Sequence, residues 1–247
     1  MKNSRVALVT GGGGGIGHAI CTELATTGHR VAVADVAIDR ARKTAQEIGG
    51  IAIELDVTEP ETVAEGIAKV AEEIGPIEVL VNCAGWDELM PFLETDDQFL
   101  QKVLEINLAG PIRVTRAVLP SMVERRWGRL IHIASDAGRV GSSQEAIYSG
   151  AKGGLIAFSK TVAREMARYE ITSNTVCPGP TETPLLDQII EASGAGNKVI
   201  DAMTRAVPMR RLGKPQDISP AVAYLASEKA GFVTGQTLSV SGGLTMS

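Results

Sequence analysis

The stretch that decides the fold is Arg5-Val6-Ala7-Leu8-Val9-Thr10, followed at once by Gly11-Gly12-Gly13-Gly14-Gly15-Ile16-Gly17. Its first part is an apolar, valine-rich run too short for a stable helix, which predicts a strand buried on both faces. Beyond the glycines, Ile16, Ile20 and Leu24 recur at helical spacing and Gly28 supplies a stop. Strand, glycine turn and helix in that order bring backbone N–H groups and a helix N-terminus up to a pyrophosphate. Side chains would block that approach, and the turn visits positive φ, so glycine is needed there. A flexible linker is the other use of such a run, yet a linker has no place between a buried strand and a helix that opens with an apolar stripe.

Working outward, Arg30-Val31-Ala32-Val33-Ala34-Asp35 reads as a second strand ending on a carboxylate, eighteen residues past Gly17. An acid there accepts hydrogen bonds from an adenosine ribose and repels a 2′-phosphate, and no arginine or lysine in the glycine turn offsets it, so NAD is the expected cofactor. An amphipathic helix over 39–48 closes at Gly49-Gly50, and a third strand over 51–55 leads to Asp56-Val57-Thr58. Thr58 reads as the N-cap of a helix from Pro60 to about residue 74, which Gly75-Pro76 stops. A fourth strand over 77–81 ends in Asn82-Cys83-Ala84-Gly85. Repeated strand–helix units predict a parallel sheet with helices on both faces and ligands at the carboxyl ends of the strands.

In the second half, a helix after Thr95-Asp96 carries Phe99, Val103, Leu104 and Ile106, then Asn107, and resumes past Gly110-Pro111 to Met122. An amide in that apolar pattern marks a helix irregularity or a buried hydrogen-bonding group. A fifth strand over 130–134 leads to Ser135, a loop over 136–146, and a helix that holds Tyr148 and Lys152. A tyrosine four residues before a lysine places both on one helix face, about one turn apart. By itself the pair is also what an ordinary helix surface presents. Ser135, thirteen residues before Tyr148, would stand on a strand tip facing the same point. The sixth strand, 171–177, ends at Pro178-Gly179-Pro180-Thr181-Glu182-Thr183-Pro184. Residues 185–206 contain the break Ser193-Gly194-Ala195-Gly196-Asn197 between two apolar helical pieces and read as a mobile lid. A helix over 215–227 and a strand over 237–240 complete the sheet, and with no repeat, linker or low-complexity tail the chain reads as one domain over 1–247.

Composition agrees with a folded enzyme-sized domain: 247 residues, 44% hydrophobic, with 24 basic against 29 acidic residues for a net charge of -5. No basic block is present to bind nucleic acid or an anionic membrane, and 124–129 reads as a solvated helix end. Cys21, Cys83 and Cys177 are far apart and have neither disulfide nor metal spacing, so no metal is expected and a reducing compartment fits. The N-terminus runs into a strand with no signal-peptide core, and no 18-residue apolar run follows, which makes cytoplasmic the expectation.

With these pieces in register the chain resembles the short-chain dehydrogenase/reductase family over essentially its whole length. The resemblance is carried by Thr10-Gly11-x-x-x-Gly15-Ile16-Gly17, Asp35, Asp56-Val57, Asn82-x-Ala84-Gly85, Asn107, Ser135, Tyr148-x-x-x-Lys152 and Pro178-Gly179-x-x-x-Thr183. It implies an α/β fold, a single doubly wound Rossmann domain with a seven-stranded parallel sheet, and hydride transfer between a secondary alcohol or ketone and NAD. By the resemblance Tyr148 is the general acid/base, and the Lys152 ammonium favours its phenolate and binds the nicotinamide ribose. Ser135 would hydrogen-bond the substrate oxygen, and Asn107 would act through a helix break whose carbonyl holds a water on the proton path to Lys152. The implied cofactor set is Gly11, Gly14, Gly15, Ile16 and Gly17, Asp35, Asp56 and Val57 at the adenine, and Asn82, Ala84 and Gly85 along the adenosine and ribose side. Tyr148, Lys152, Pro178, Gly179 and Thr181 join it, with Thr183 at the carboxamide.

Within the family, Ala84-Gly85-Trp86-Asp87, residues 118–126, Arg139-Val140-Gly141-Ser142-Ser143 and residues 238–246 are most similar to 2-hydroxycyclohexanecarboxyl-CoA dehydrogenases and to dehydrogenases of cyclic and aryl secondary alcohols. That similarity implies an aromatic or alicyclic substrate in a degradation pathway, a hydroxyacyl-CoA being one form of it. The expected lining is Trp86, Val140, Gln144, Leu185, Leu186 and Ile189 beside Ser135 and Tyr148, mostly apolar. A CoA thioester asks for basic residues at the mouth, and Lys198, Arg205 and Arg210 are the candidates. Two alternatives stand beside this reading. A 3-oxoacyl-acyl-carrier-protein or acyl-CoA reductase shares every motif but usually takes NADPH, against which Asp35 speaks. A non-catalytic NAD-binding module would have no need of Asn107, Ser135, Tyr148 and Lys152 together. The resemblance also implies a homotetramer.

Overall fold

The computed structural model describes residues 4–193 and 196–246. The opening strand β1 (Val6–Thr10) is buried along its whole length, and its alternating side chains serve two layers: Ala7 and Val9 face one, Val6 and Leu8 the other. Helix α1 (Gly15–Thr26) sends Ile20 and Leu24 into the first layer. Then follow β2 (Arg30–Asp35), α2 (Ile38–Ile48), β3 (Ile51–Glu54), α3 (Pro60–Glu73) and β4 (Val79–Asn82). Helix α2 ends where Gly49, at φ 66, takes the left-handed conformation that lets the chain turn back.

Next come α4 (Asp97–Leu104), a π-helical segment (Glu105–Ala109), α5 (Gly110–Arg125), β5 (Gly128–Ile133), α6 (Ala137–Val140) and α7 (Ala146–Met166). The chain closes with β6 (Ile171–Pro178), α8 (Pro184–Ser193), α9 (Asn197–Ala206), α10 (Pro215–Ala226) and β7 (Thr237–Val240). The seven strands are parallel, in the order β3-β2-β1-β4-β5-β6-β7. After β3 the chain returns to the centre and lays β4 on the other side of β1, so a crevice opens above the carboxyl ends of these two strands. Helices α1, α2 and α10 cover one face of the sheet, while α3, α5 and α7 cover the other through Val63, Val114, Met122 and Val162. Each fully buried side chain such as Leu8, Leu80 or Ile131 contributes about 1.5–3 kcal/mol.

Strand ends lie within about two residues of the sequence expectation, as hydrogen-bonded boundaries commonly do. Thr58 is not the N-cap of α3: that position is Glu59, and no side chain caps it. The Thr58 hydroxyl instead donates to Asp56 Oδ1 at 2.7 Å, which also accepts the Thr58 N–H at 2.8 Å. A local Asx turn thus outcompetes the cap. The helix expected to run from residue 96 to Met122 is interrupted by the π-helical segment. Pro111 has no N–H to give the carbonyl of Asn107, four residues earlier, and the Gly110 N–H reaches back five residues to Glu105. The expected loop over 136–146 contains the short helix α6. Of the proposed lid, α8 and α9 are in place, and Gly194 and Ala195 of its glycine break lie outside the described residues.

Candidate active site

The carboxyl ends of the central strands open onto a cavity of about 1130 Å³. At one end stand Gly11, Gly14, Gly15, Ile16 and Gly17. Gly11 has φ 66, and a Cβ there would lie 2.8 Å from the Ala84 backbone, so the turn is packed directly on the β4 tip. Thr10 ties the two together, its hydroxyl accepting the N–H groups of Cys83 and Ala84 at 3.1 and 3.2 Å. A Cβ at Gly14 would meet only the Gly11 carbonyl, at 3.4 Å, so that face of the turn is open. No side chain caps α1, which leaves its N-terminal dipole and first-turn N–H groups to an anion.

Asp35 lines the same end and is 5% exposed. Its Oδ2 accepts the Gly13 N–H at 3.1 Å, and its Oδ1 accepts the Ala37 N–H at 2.9 Å and the Arg40 guanidinium at 3.2 Å. Arg40 is half-exposed and also lines the cavity. Sequence reasoning sought a cation only inside the glycine turn and so missed Arg40, five residues beyond Asp35 on α2. Asp56, Val57, Ala84, Gly85, Pro178, Gly179, Thr181 and Thr183 line the cavity as expected. Asn82 does not. It is 1% exposed, and its amide donates to Thr115 Oγ1 at 3.0 Å and lies 3.1 Å from His132 Nδ1. As the last residue of β4 it points into the layer beneath the crevice and supports the tip from below. The glycine cradle, the uncapped helix and the strand-tip carboxylate together fit a dinucleotide.

At the other end Ser135, Tyr148 and Lys152 meet. Ser135 follows the tip of β5, while Tyr148 and Lys152 are one turn apart on α7. The Lys152 ammonium donates to the Ile133 carbonyl at 3.0 Å and lies 5.5 Å from the centre of the Tyr148 ring. Burial pushes Lys152 down to about 8. Burial also pushes the Tyr148 phenol up, Glu145 and Asp87 add to that, and the Ser135 hydroxyl opposes it. The protein around Tyr148 therefore contains carboxyls that act against the phenolate, a feature the motif alone does not reveal.

Asn107 is fully buried and does not line the cavity. Its amide donates to the carbonyls of Trp86 and Val103 at 2.7 and 3.0 Å, and its Oδ1 accepts the Trp86 N–H at 3.3 Å. The side chain clamps the Trp86 backbone, and the residue sits where Pro111 withholds the ordinary partner of its carbonyl. His132 was not picked out in the sequence. It is fully buried between Asn82 and Ser173, and burial followed by the Lys152 charge pushes it down to about 3, so it is a neutral support.

Trp86, Val140, Leu185, Leu186 and Ile189 line the substrate end as expected, joined by Leu89, Met203 and Leu244. Gln144 does not. It has φ 67 and is exposed, and its backbone carbonyl accepts the Met90 N–H at 2.9 Å, a loop conformation that turns it away from the wall. Lys198, Arg205 and Arg210 are also absent from the lining, and Arg210 donates to the Arg205 carbonyl at 2.7 Å. The cations that do line the cavity are Arg40, Lys102 and Lys152. Lys102 lies 3.4 Å over the centre of the Trp86 ring, whose other neighbour is the Phe99 ring at 5.7 Å. Among the described residues no group of three or more His, Cys, Asp or Glu is placed to hold a metal ion, and no helix is long and apolar enough to cross a membrane.

A parallel sheet with a glycine turn at its switch point and a Ser, Tyr and Lys set beside it defines a class, and comparison with known proteins agrees. A family model described as Enoyl-(Acyl carrier protein) reductase matches residues 11–245. The chain is 42% identical over 243 residues to an acetoacetyl-CoA reductase of Shinella zoogloeoides, covering 97% of this chain and 98% of the relative. It is 37% identical over 244 residues to the 3-oxoacyl-acyl-carrier-protein reductase FabG of Escherichia coli K12, covering 98% of each. Among solved structures, a single-residue variant of actinorhodin polyketide ketoreductase with NADPH superposes with a TM-score of 0.94 at 37% identity, covering 99% of this chain and 98% of that one. The chain belongs to the short-chain dehydrogenase/reductase family and is an oxidoreductase.

Proposed function

We propose that this protein interconverts a 3-hydroxyacyl and a 3-oxoacyl thioester, using NAD(H) in preference to NADP(H). The observation that carries the reading is the meeting of Ser135, Tyr148 and Lys152 at one end of a cavity whose other end holds the glycine cradle and Asp35. When bound, the nicotinamide donates or accepts the hydride. In the reductive direction the Tyr148 phenol gives its proton to the substrate oxygen, and in the oxidative direction it takes that proton back. Ser135 donates a hydrogen bond to the same oxygen and holds it against Tyr148. Lys152 stabilises the phenolate and, through the neighbouring Asn107 segment, connects it to the proton supply.

The thioester is supported by relatives named for acetoacetyl-CoA and 3-oxoacyl carriers, which favours it over a simple aryl or alicyclic alcohol. The apolar walls from Trp86, Leu185, Leu186 and Ile189 support a second feature, an acyl part that is a ring or an unbranched chain rather than a polar group. Asp35 supports NAD: its buried carboxylate faces the position where a 2′-phosphate would bring like charge, although Arg40 offsets part of that. A cytoplasmic setting suits the free cysteines, and a homotetramer suits the apolar residues exposed around the last strand, Phe232, Leu238 and Met246. The test is a panel of acetoacetyl-CoA, cyclic oxoacyl-CoA thioesters, cyclic ketones and aryl ketones, each with NADH and NADPH, followed by nicotinamide absorbance. Acetoacetyl-CoA or a cyclic thioester turning over fastest, with NADH, is the expected result. Rapid turnover of simple ketones with none of the thioesters would overturn the reading.

A further inference from the structure

Asp87 follows Trp86 beyond the β4 tip, and Glu145 is the residue just before α7, one helical turn ahead of Tyr148. Asp87 is 5% exposed, and among the described residues neither of its carboxyl oxygens makes a hydrogen bond of full geometry, the Glu88 backbone N–H being a weak neighbour. An ionised carboxylate buried with no well-formed hydrogen bond is disfavoured. Its side-chain neighbour is Glu145, which is another acceptor, and two carboxyls in contact are satisfied when one proton lies between them. Burial first, and Glu145 next, push Asp87 up to about 8, against the smaller opposing pull of the Glu88 backbone N–H and the Lys152 charge. Glu145 forms part of the cavity wall beside Tyr148, while Asp87 backs it from outside the lining. Neither residue belongs to any ion pair among the described residues. Of the cations on this side, Lys152 donates to the Ile133 carbonyl and Lys102 lies over the Trp86 ring.

We propose that Asp87 and Glu145 form a proton-sharing carboxyl pair that sets the charge selectivity of the substrate end, admitting an oxo acid as its neutral ester or thioester and rejecting its free carboxylate. This rests on the thioester reading above and adds the reason for it. When the keto oxygen of a 3-oxo acid meets Ser135 and Tyr148, its carboxyl carbon is only two carbon atoms away. That group then stands beside a wall carrying one shared proton and one negative charge. A neutral thioester meets no like charge there, whereas a free carboxylate does.

The test compares kcat/KM for acetoacetate with that for its methyl ester and its N-acetylcysteamine thioester, using the 247-residue protein. Wild type is expected to prefer the neutral forms by at least about 100-fold, the effect of a like charge held at short range in a partly desolvated site. In D87N/E145Q, which replaces the pair by amides of similar shape, that ratio is expected to fall at least tenfold. The readout is a ratio within one protein, so a general loss of activity in the variant cancels. Wild type using acetoacetate as readily as its ester overturns the proposal without any variant, and so does an unchanged ratio in D87N/E145Q. If no ester or thioester turns over, the functional reading fails, and the pair is tested separately by infrared spectroscopy at neutral pH. A protonated-carboxyl C=O band that disappears in D87N supports the pair, and its absence from wild type refutes it.

Discussion

The two ends of the cavity are built in different ways. The cofactor end consists mainly of backbone and strand tips: the glycine turn, the start of α1, Asp35 and the residues after β4. The substrate end is made of side chains drawn from the β4–α4 connection, α6, α8, α9 and the residues after β7. Parallel strands in fixed register set the first kind of surface, so it varies little with the identity of neighbouring side chains. The second kind depends on what each loop carries. A shared reaction with a changing substrate follows from that division.

The contrast breaks most readily at Tyr148. Tyr148→Phe is expected to lower turnover by at least ~10²-fold, the lower end for losing a general acid/base, while dinucleotide binding followed by fluorescence stays close to wild type. Near-normal turnover would remove Tyr148 from the chemistry. At the opposite end, Asp35→Ala removes the carboxylate and frees Arg40, so kcat/KM with NADPH relative to NADH is expected to rise at least about 10-fold, the effect of exchanging like for unlike charge at short range. The gain should vanish in D35A/R40A. An unchanged preference in D35A would show that Asp35 is not the selector.

A smaller effect separates the ends by pH. Asp87 is pushed up to about 8 from an ordinary 3.8, so between those values the folded chain binds a proton that the unfolded chain lacks. Its contribution to stability is therefore present at low pH and is lost as pH rises through about 8. Asp87→Asn should remove that slope, raising Tm at pH 8 relative to wild type by several degrees, on the scale of ~2–4 °C per kcal/mol for a chain of this size. Equal slopes from pH 5 to pH 8 would place the proton elsewhere. The smallest expected change is Thr58→Ala, which removes no helix cap and should alter chemical-denaturation stability by less than about 0.5–1 kcal/mol, below the usual loss for a capping residue. A loss of about 2 kcal/mol would restore Thr58 to the cap.

The cofactor end was largely legible from residue spacing, because a strand, a glycine turn and an acid-tipped second strand leave local patterns. Asn82 is the instructive miss at that end. Its position in a motif did not tell whether its amide faces the ligand or the layer below, since that depends on its place at the end of β4. The substrate end was legible only in its apolar character. Leu185, Leu186 and Ile189 line the cavity, but Gln144 is carried outward by a left-handed backbone conformation. The cations expected from α9 and beyond do not line it; Lys102, lying over the Trp86 ring, does.

By itself the sequence determined the doubly wound fold, the glycine turn, the acid at the tip of β2 and the Ser135, Tyr148 and Lys152 set. The fold, the turn and the acid follow from periodicity and short-range spacing, while the Ser135, Tyr148 and Lys152 set follows from the family resemblance that the ordered motifs carry. Only the tertiary structure decided that Arg40 holds Asp35, that Asn107 clamps Trp86, and that Asp87 is buried against Glu145. Arg40 reaches Asp35 across the turn from β2 into α2, while the other two pairs join elements far apart in the chain that only the packed sheet and its crossovers bring within contact distance.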